Sequence, residues 1–324
     1  MYLKVNKPLP FTRLFFATDI HGSETTYLKF LNAAKFYNVQ YLILGGDITG
    51  KVMVPIVKDS DGFRANFRGI EHFIKDEFQL QEFEKKVRAT GYYPYRTTRE
   101  ELQLLKTDEK RIQEIFHKLM LENVENWVRL AEQRLKGTGV KIFITGGNDD
   151  IPEIKDIIHK SDYVIDPEDK VVVIDDKYEM ISLGWSNPTP WNTPRECSEE
   201  ELERKIEDMM SQVKDAKTCI FNIHVPPINT IISECQKLDE NLKPVFEGSE
   251  PVLISAGSVA VRKAIEKYQP LLGLHGHIHE ARGVVKIGKT ICINPGSESS
   301  EGILRGVIVN LHEGSVKSYQ LTSG

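Results

Sequence analysis

Three histidines crowd one short stretch, L-H-G-H-I-H, at His275, His277 and His279, although the 324-residue chain has only nine. In extended chain, positions i and i+2 point to one side, so His277 and His279 can present two imidazoles together. Asp19 and His21 repeat that spacing near the start of the chain. Three further metal-capable residues, Asp47, Asn148 and His224, each stand at the end of an apolar run. Taken singly they have ordinary explanations. An aspartate after a strand is commonly a turn former or a helix cap, and a lone histidine is usually a hydrogen-bonded structural residue. Taken together and in this order, they form an oxygen and imidazole donor set without thiolate. Such a set suits manganese, iron or zinc better than calcium.

The elements that would position these residues follow from hydrophobic patterning. Runs at 14–19, 41–47, 141–148 and 217–224 read as buried strands, and amphipathic segments at 24–37 and 198–215 read as helices. After about residue 270 short strands follow closely, at 270–275, 281–287, 290–294, 306–311 and 315–321. Strand–helix alternation followed by strands predicts a layered α/β domain with mixed sheets. The four long runs finish at Asp19 (with His21), Asp47, Asn148 and His224, and open α/β sheets bind ligands beyond the carboxyl ends of their strands.

Residues 51–137 break the rhythm. A hairpin with its turn at Asp59–Gly62 is expected, then helices over 69–89 and 107–136, the second with Thr107 as N-cap and Gly137 just past its end. This region reads as a cap or lid inserted into a single domain spanning 1–324, or equally as a helical elaboration that packs on the core or meets another copy of the chain.

Composition narrows the function classes. A net charge of −5 gives no electrostatic case for nucleic acid or an anionic membrane. Cys197, Cys219, Cys235 and Cys292 show no C-x-x-C spacing, so neither a zinc ribbon nor a disulfide framework is suggested. The N-terminus lacks an apolar leader segment, and a cytoplasmic location is expected.

The ordered set D-x-H (Asp19, His21), G-D (Gly46, Asp47), G-N (Gly147, Asn148), a lone His224 and G-H-x-H (Gly276, His277, His279), with I-N-P-G-S at 293–297, resembles the calcineurin-like metallophosphoesterases. The segment G-W-S-N-P-T-P-W-N-T-P-R-E at 184–196 is similar to that of an archaeal and bacterial branch of predicted phosphoesterases. The resemblance implies a four-layer αββα sandwich of two mixed sheets. It also implies two divalent ions, manganese first, with iron, zinc or magnesium as the other candidates. Asp19, His21 and His279 would hold one ion, Asn148, His224 and His277 the other, and Asp47 would bridge them. Two such ions about 3.5–4 Å apart activate a bridging hydroxide and clamp the oxygens of an in-line displacement at phosphorus. The implied activity is hydrolysis of a small phosphorylated substrate, a phosphodiester or nucleotide-like compound, with Asp47, Asn148, Asp149 and His224 as the catalytic group. His275 has no ligand role in the family pattern and is expected to pack or to support a ligand.

One position departs from the family. Its usual G-N-H-[DE] appears as Gly147, Asn148, Asp149, Asp150, so a carboxylate replaces the histidine that would touch phosphate. Beside two cations Asp149 should stay ionised and be a poor proton donor. That leaves good leaving groups, another donor such as His72 or His117, or weak chemistry. Asn187, Asn192 and Thr193, with Thr189 and Trp191, are candidate substrate contacts in a loop that three prolines also make rigid. Arg64, Arg68, Arg96 and Arg99, with Tyr92, Tyr93 and Tyr95, could grip a nucleotide or could form a solvated face. Two other readings stand beside the hydrolase. One is a nuclease of the same fold, which the negative charge opposes. The other is a non-catalytic scaffold, which would not need seven intact ligands. A homo-oligomer is compatible with either.

Overall fold

The computed structural model describes residues 11–324; the N-terminal stretch read above as lacking a leader falls within 1–10, outside the described residues. Two six-stranded sheets make the centre. The first runs in the order Ser315–Ser323, Arg305–His312, Thr12–Ala17, Tyr41–Gly45, Lys141–Thr145, Val164–Ile165. The second runs Gly283–Ile287, Thr290–Asn294, Leu272–Leu274, Cys219–Ile223, Tyr178–Leu183, Val171–Asp175. Thr12–Ala17, Tyr41–Gly45 and Lys141–Thr145 are mutually parallel, as are Tyr178–Leu183, Cys219–Ile223, Leu272–Leu274 and Thr290–Asn294. The parallel strands of each sheet therefore finish on one edge.

Side-chain alternation builds the layers. Leu14 and Phe16 face the second sheet, packing in one core with Met180, Ile220, Leu274 and Ile293, whereas Phe15 and Ala17 face helices. Ile43 likewise points between the sheets and Leu42 and Leu44 away from them. The outer face of the first sheet is covered by the helices Glu24–Phe36, Glu109–Leu135 and Ile154–His159. The outer face of the second is covered by Glu199–Met210 and Val259–Tyr268. Helix, sheet, sheet, helix is the expected αββα order. Strands buried on both faces need continuous apolar sequence, which is why these runs stood out.

The region 51–137 carries a small core of its own. Ile70–Ile74, Gly62–Phe67, Val52–Asp59 and Tyr92–Thr97 form a four-stranded sheet, and Val54, Ile56, Phe67, Leu80, Phe83 and Val87 pack against one another there. The hairpin at 59–62 is as expected. The helix expected from residue 69 begins instead at Glu77, capped by Asp76 accepting from Gln79 N at 2.8 Å. Residues 70–74 are a strand because Arg68 and Gly69, at φ +53° and +77°, make a two-residue hairpin loop between Phe67 and Ile70. Both central residues of such a turn need positive φ, and arginine at the first hid it. The long helix is capped by Asp108, which accepts from Arg111 N at 3.0 Å, while the Thr107 hydroxyl bonds back to Leu104 O. A short helix at Arg99–Leu105 and two small strand pairs within 234–255 had no clear sequence signal.

The insertion is fastened beside the first strand's exit. Ser23 Oγ donates to Ala89 O at 2.6 Å, and Gly50 N donates to the buried Tyr93 hydroxyl at 2.7 Å. Tyr27 stacks on Trp127 with ring centroids 4.2 Å apart, docking the long helix onto the first.

Candidate metal centre

The parallel strands end where the two sheets meet, and there the distant candidate ligand residues converge. Asp19 N donates to Gly46 O at 2.9 Å and His21 N to Asp47 O at 3.0 Å, zipping the first two strand-end loops together. Gly276 N donates to His224 O at 2.8 Å, joining the fourth to the G-H-x-H segment. A methyl group on Gly276 would lie 2.3 Å from Asp19 Oδ2, and one on Gly147 would lie 2.1 Å from Asp47 Oδ1. Only glycine permits these approaches.

Side-chain distances define two neighbouring groups. His21 Nε2 and His279 Nε2 are 2.9 Å apart, and His279 Nε2 is 3.4 Å from Asp19 Oδ1. His21 Nε2 also lies 3.9 Å from Asp47 Oδ2. One donor atom from each of Asp19, His21, Asp47 and His279 falls within 4.8 Å of the others. On the other side of Asp47, His224 Nε2 is 3.5 Å from Asp47 Oδ1, and His277 Nδ1 is 2.8 Å from Asn148 Oδ1. The His224 and His277 rings meet edge-on at 5.4 Å.

Three features fit divalent ions. His224 Nδ1 bonds to Gly45 O at 2.9 Å, which aims Nε2 at the carboxylates, and Nε2 is buried without a hydrogen-bond partner. Asp19 and Asp47 are almost wholly buried and demand positive charge. Asp19, His21, Asp47 and His277 all adopt positive φ, at +53°, +40°, +48° and +68°. Left-handed backbone at non-glycine residues costs energy and clusters at functional sites.

Electrostatics follow from the crowding. Burial opposes the charged forms of Asp19 and Asp47, yet the neighbouring His224 holds both below the ordinary carboxylate range. Burial likewise opposes the charged His224, but Asp47 and Asp19 push it up to about 10. Burial takes His21 down to about 3, helped by His279, and His277 down to about 4, helped by His224. The two carboxylates thus draw positive charge onto part of the cluster, a demand that cations would meet directly.

The supporting contacts are dense. Asp150 is fully buried and accepts from Gly147 N (2.7 Å), Ile48 N (3.0 Å), Thr49 N (2.8 Å) and Thr49 Oγ1 (2.6 Å). It ties the Asp47 loop to the Asn148 loop. Arg195, 2% exposed, donates its backbone N–H to Asn148 O and a guanidinium N–H to Gly147 O, and pairs with buried Glu168. Within I-N-P-G-S, Asn294 Nδ2 donates to Ile278 O at 2.9 Å and Ser297 Oγ to Asp19 O at 2.6 Å. None of these roles was assigned from sequence, although the last two residues lie in a motif noted there.

No family model matches the chain. The uncharacterized protein MJ1162 of Methanocaldococcus jannaschii is 32% identical over 162 residues, which cover 49% of this chain and 66% of that protein. The match thus spans just under two thirds of the relative's length. The crystal structure of TT1561 of Thermus thermophilus superposes over 97% of this chain and 98% of its own, at 12% identity and a TM-score of 0.54. A further crystal structure superposes over 96% of this chain and 98% of its own, at 16% identity and a TM-score of 0.56. The chain shares their fold. The sandwich expected from the resemblance to the calcineurin-like metallophosphoesterases is the one observed.

The remaining candidates are placed as follows. Asp149 N donates to Asp47 Oδ1 at 3.0 Å, and the Asp149 carboxylate pairs with the Lys51 ammonium. Burial first, then the Asp47 charge, push Asp149 up to about 7, while Lys51 pulls the other way. Thr193, expected at the substrate, has its hydroxyl against Asn148 Nδ2 at 2.9 Å. Asn192 is exposed at φ +50°, and Asn187 is half-buried with Oδ1 unpartnered. His275 is fully buried with Nδ1 on Ile223 O at 2.8 Å. His72 packs against Phe67 and Phe83 inside the insertion, and His117 is exposed on the long helix. The insertion's arginines are spent on carboxylates: Arg64 and Arg99 on Asp59, Arg96 on Glu84 and Glu77, Arg68 on Glu301. That favours the solvated-face reading.

Proposed function

We propose that this chain is a metal-dependent phosphoesterase that hydrolyses a small phosphate ester, a phosphodiester or nucleotide-like compound, at a dinuclear centre. The observation that supports the reading is the convergence of six side chains, from strand-end loops far apart in the chain, around Asp47. Asp19, His21 and His279 would hold one divalent ion, Asn148, His224 and His277 the other, with Asp47 between them. Manganese fits the mixed oxygen and imidazole set, and iron, zinc and magnesium are the other candidates. When bound, two such ions supply nucleophile activation and neutralise charge developing at phosphorus.

The chain's own residues do the rest. Asp150 locks the loops carrying Asp47 and Asn148 in register, so the donor atoms are set before any ligand arrives. Lys51, held by Asp149 at the rim and half-exposed, offers an ammonium to an anionic phosphoryl group where the family's histidine is missing. The insertion acts as a fixed wall beside His21 and limits the substrate to a small one; a methyl group on Gly91 would lie 2.0 Å from His21 O. A net charge of −5 argues against a nucleic-acid track. No helix among the described residues is long and apolar enough to cross a membrane. All four cysteines are free, in keeping with the cytoplasmic reading.

The test is manganese-dependent hydrolysis of bis-p-nitrophenyl phosphate and p-nitrophenyl phosphate, with Asp47→Asn as control. Turnover of either, abolished by the substitution, is expected. Two bound ions with no turnover of either ester would instead support the scaffold reading.

A further inference from the structure

The carboxamide of Asn148 is a ligand with two unlike ends. Its Oδ1 can bind a cation, whereas its Nδ2 carries two hydrogens and repels one. Rotating the group by half a turn exchanges them at almost no steric cost, so something must choose. On the metal side Oδ1 faces His277 Nδ1, a ring nitrogen that serves as donor or acceptor according to its tautomer and therefore cannot choose. On the other side Nδ2 faces Thr193 Oγ1 at 2.9 Å, and a hydroxyl is equally ambivalent.

The ambivalence ends one residue further on. Thr193 Oγ1 lies 2.7 Å from Glu196 Oε1. The same carboxylate accepts the backbone N–H of Thr193 at 2.8 Å and that of Thr189 at 3.0 Å, and the Thr189 hydroxyl at 2.5 Å. Two of these partners are obligate donors, so Glu196 is held as an acceptor. Burial raises its carboxyl, but the hydrogen bonds from Thr189 and Thr193 outweigh this and hold it below the ordinary value. The Thr193 hydroxyl must then give its single hydrogen to Glu196, which leaves only lone pairs for Asn148. Those lone pairs call for Nδ2, and Oδ1 turns toward the centre. Arg195 N–H on Asn148 O at 3.1 Å fixes the backbone about which the group would rotate.

We infer that Glu196 and Thr193 form a donor–acceptor relay that sets the orientation of the Asn148 carboxamide and thereby loads one of the two metal positions. The inference rests on the dinuclear reading above. It makes Thr193 and Glu196 positioning residues, and gives the loop 184–196 a function at the metal rather than at the substrate.

The experiment is a manganese-binding isotherm, with metal content by elemental analysis and electron paramagnetic resonance of the ion pair. The proteins are wild type, Thr193→Val, Thr193→Ser and Glu196→Ala, each checked for native circular dichroism. Thr193→Val keeps the side chain's shape and deletes the lone pairs. It is expected to weaken one of the two ions by about 10-fold or more, the range for groups that orient a ligand, and to replace the spin-coupled pair by a single-ion spectrum. Thr193→Ser restores the hydroxyl and is expected to bind both ions as wild type does. Glu196→Ala should behave like Thr193→Val, and if it misfolds the valine–serine comparison decides. Two ions bound by Thr193→Val with wild-type affinity would overturn the relay and leave the hydrolase reading standing. Equal losses in the serine and valine proteins would also overturn it. A wild-type protein that binds no manganese would remove the dinuclear reading and the relay with it.

Discussion

Replacing Asp150 with asparagine tests whether the centre is assembled by the chain or only by its metals. All four of its partners are donors, three of them backbone N–H groups with no other role. An asparagine has one oxygen for two acceptor positions. In its better orientation that oxygen keeps Ile48 N–H and Gly147 N–H, and the new NH2 faces Thr49. The Thr49 hydroxyl can rotate to accept, but the Thr49 N–H cannot, so one buried donor is stranded. Stranding it costs about 1–3 kcal/mol, and converting the surviving charge-assisted bonds to neutral ones costs about 1 kcal/mol each. Against this, burial and then the nearby Asp47 carboxylate raise the Asp150 carboxyl, so removing its charge returns part of the loss. The net expectation is about 2–4 kcal/mol of destabilisation. Urea unfolding followed by tryptophan fluorescence, with chelator present in both proteins, measures it apart from metal. The brace also joins the loops bearing Asp47 and Asn148, so manganese affinity should fall by about 10-fold. A variant within about 0.5 kcal/mol of wild type, the range of an ordinary surface change, would refute the assignment of Asp150 as the central brace.

Other perturbations reach the same site from different directions. Gly147→Ala puts a methyl 2.1 Å from Asp47 Oδ1 and should abolish stoichiometric manganese binding, whereas Gly137→Ala, at φ +85° with nothing within 4 Å, should cost only about 1 kcal/mol and leave metal content unchanged. Lys51→Gln removes the cation at the rim and should raise KM for a phosphate ester by about 10-fold, as expected for a lost charge-assisted hydrogen bond, with manganese affinity unaltered; an unchanged KM would remove Lys51 from the substrate. Ions that bind only the folded chain stabilise it by mass action, by about 2.7 kcal/mol at a concentration 100 times Kd. Chelation should therefore lower the thermal midpoint of wild type and have no effect on Asp47→Asn.

The parts of the site that were legible in sequence share one property: their signal is local. A strand buried on both faces must be apolar at every position, so Leu14–Phe16 and Leu42–Leu44 announced themselves, and the polar residue that ends each run lay at the sheet edge by construction. The G-H-x-H and D-x-H spacings were likewise visible within a few residues. What stayed hidden depends on pairs far apart in the chain or on backbone angles that residue type does not betray. Lys51 meets Asp149, Asp150 meets Ile48 and Thr49, and Thr193 meets Asn148 only once the loops have closed. Positive φ at Asp19, His21, Asp47 and His277 leaves no glycine behind as a marker, and Arg68 concealed a hairpin in the same way.

These hidden features are not independent of the visible ones. A carboxylate at a strand end is free to face a ligand only if the chain turns sharply just after the last paired residue, and the left-handed conformation of Asp19 and Asp47 provides that turn. Such a turn strips the loop of sheet hydrogen bonds, so its N–H groups need other acceptors. Asp150 accepts from Ile48 and Thr49, and Asp19 itself accepts from His277 N at 3.1 Å. The candidate ligands readable from sequence therefore require a set of supporting acceptors that only the fold reveals. A chain carrying the same seven proposed ligands without Asp150 and the proposed Glu196–Thr193 relay would hold the donor atoms nearby but not aimed.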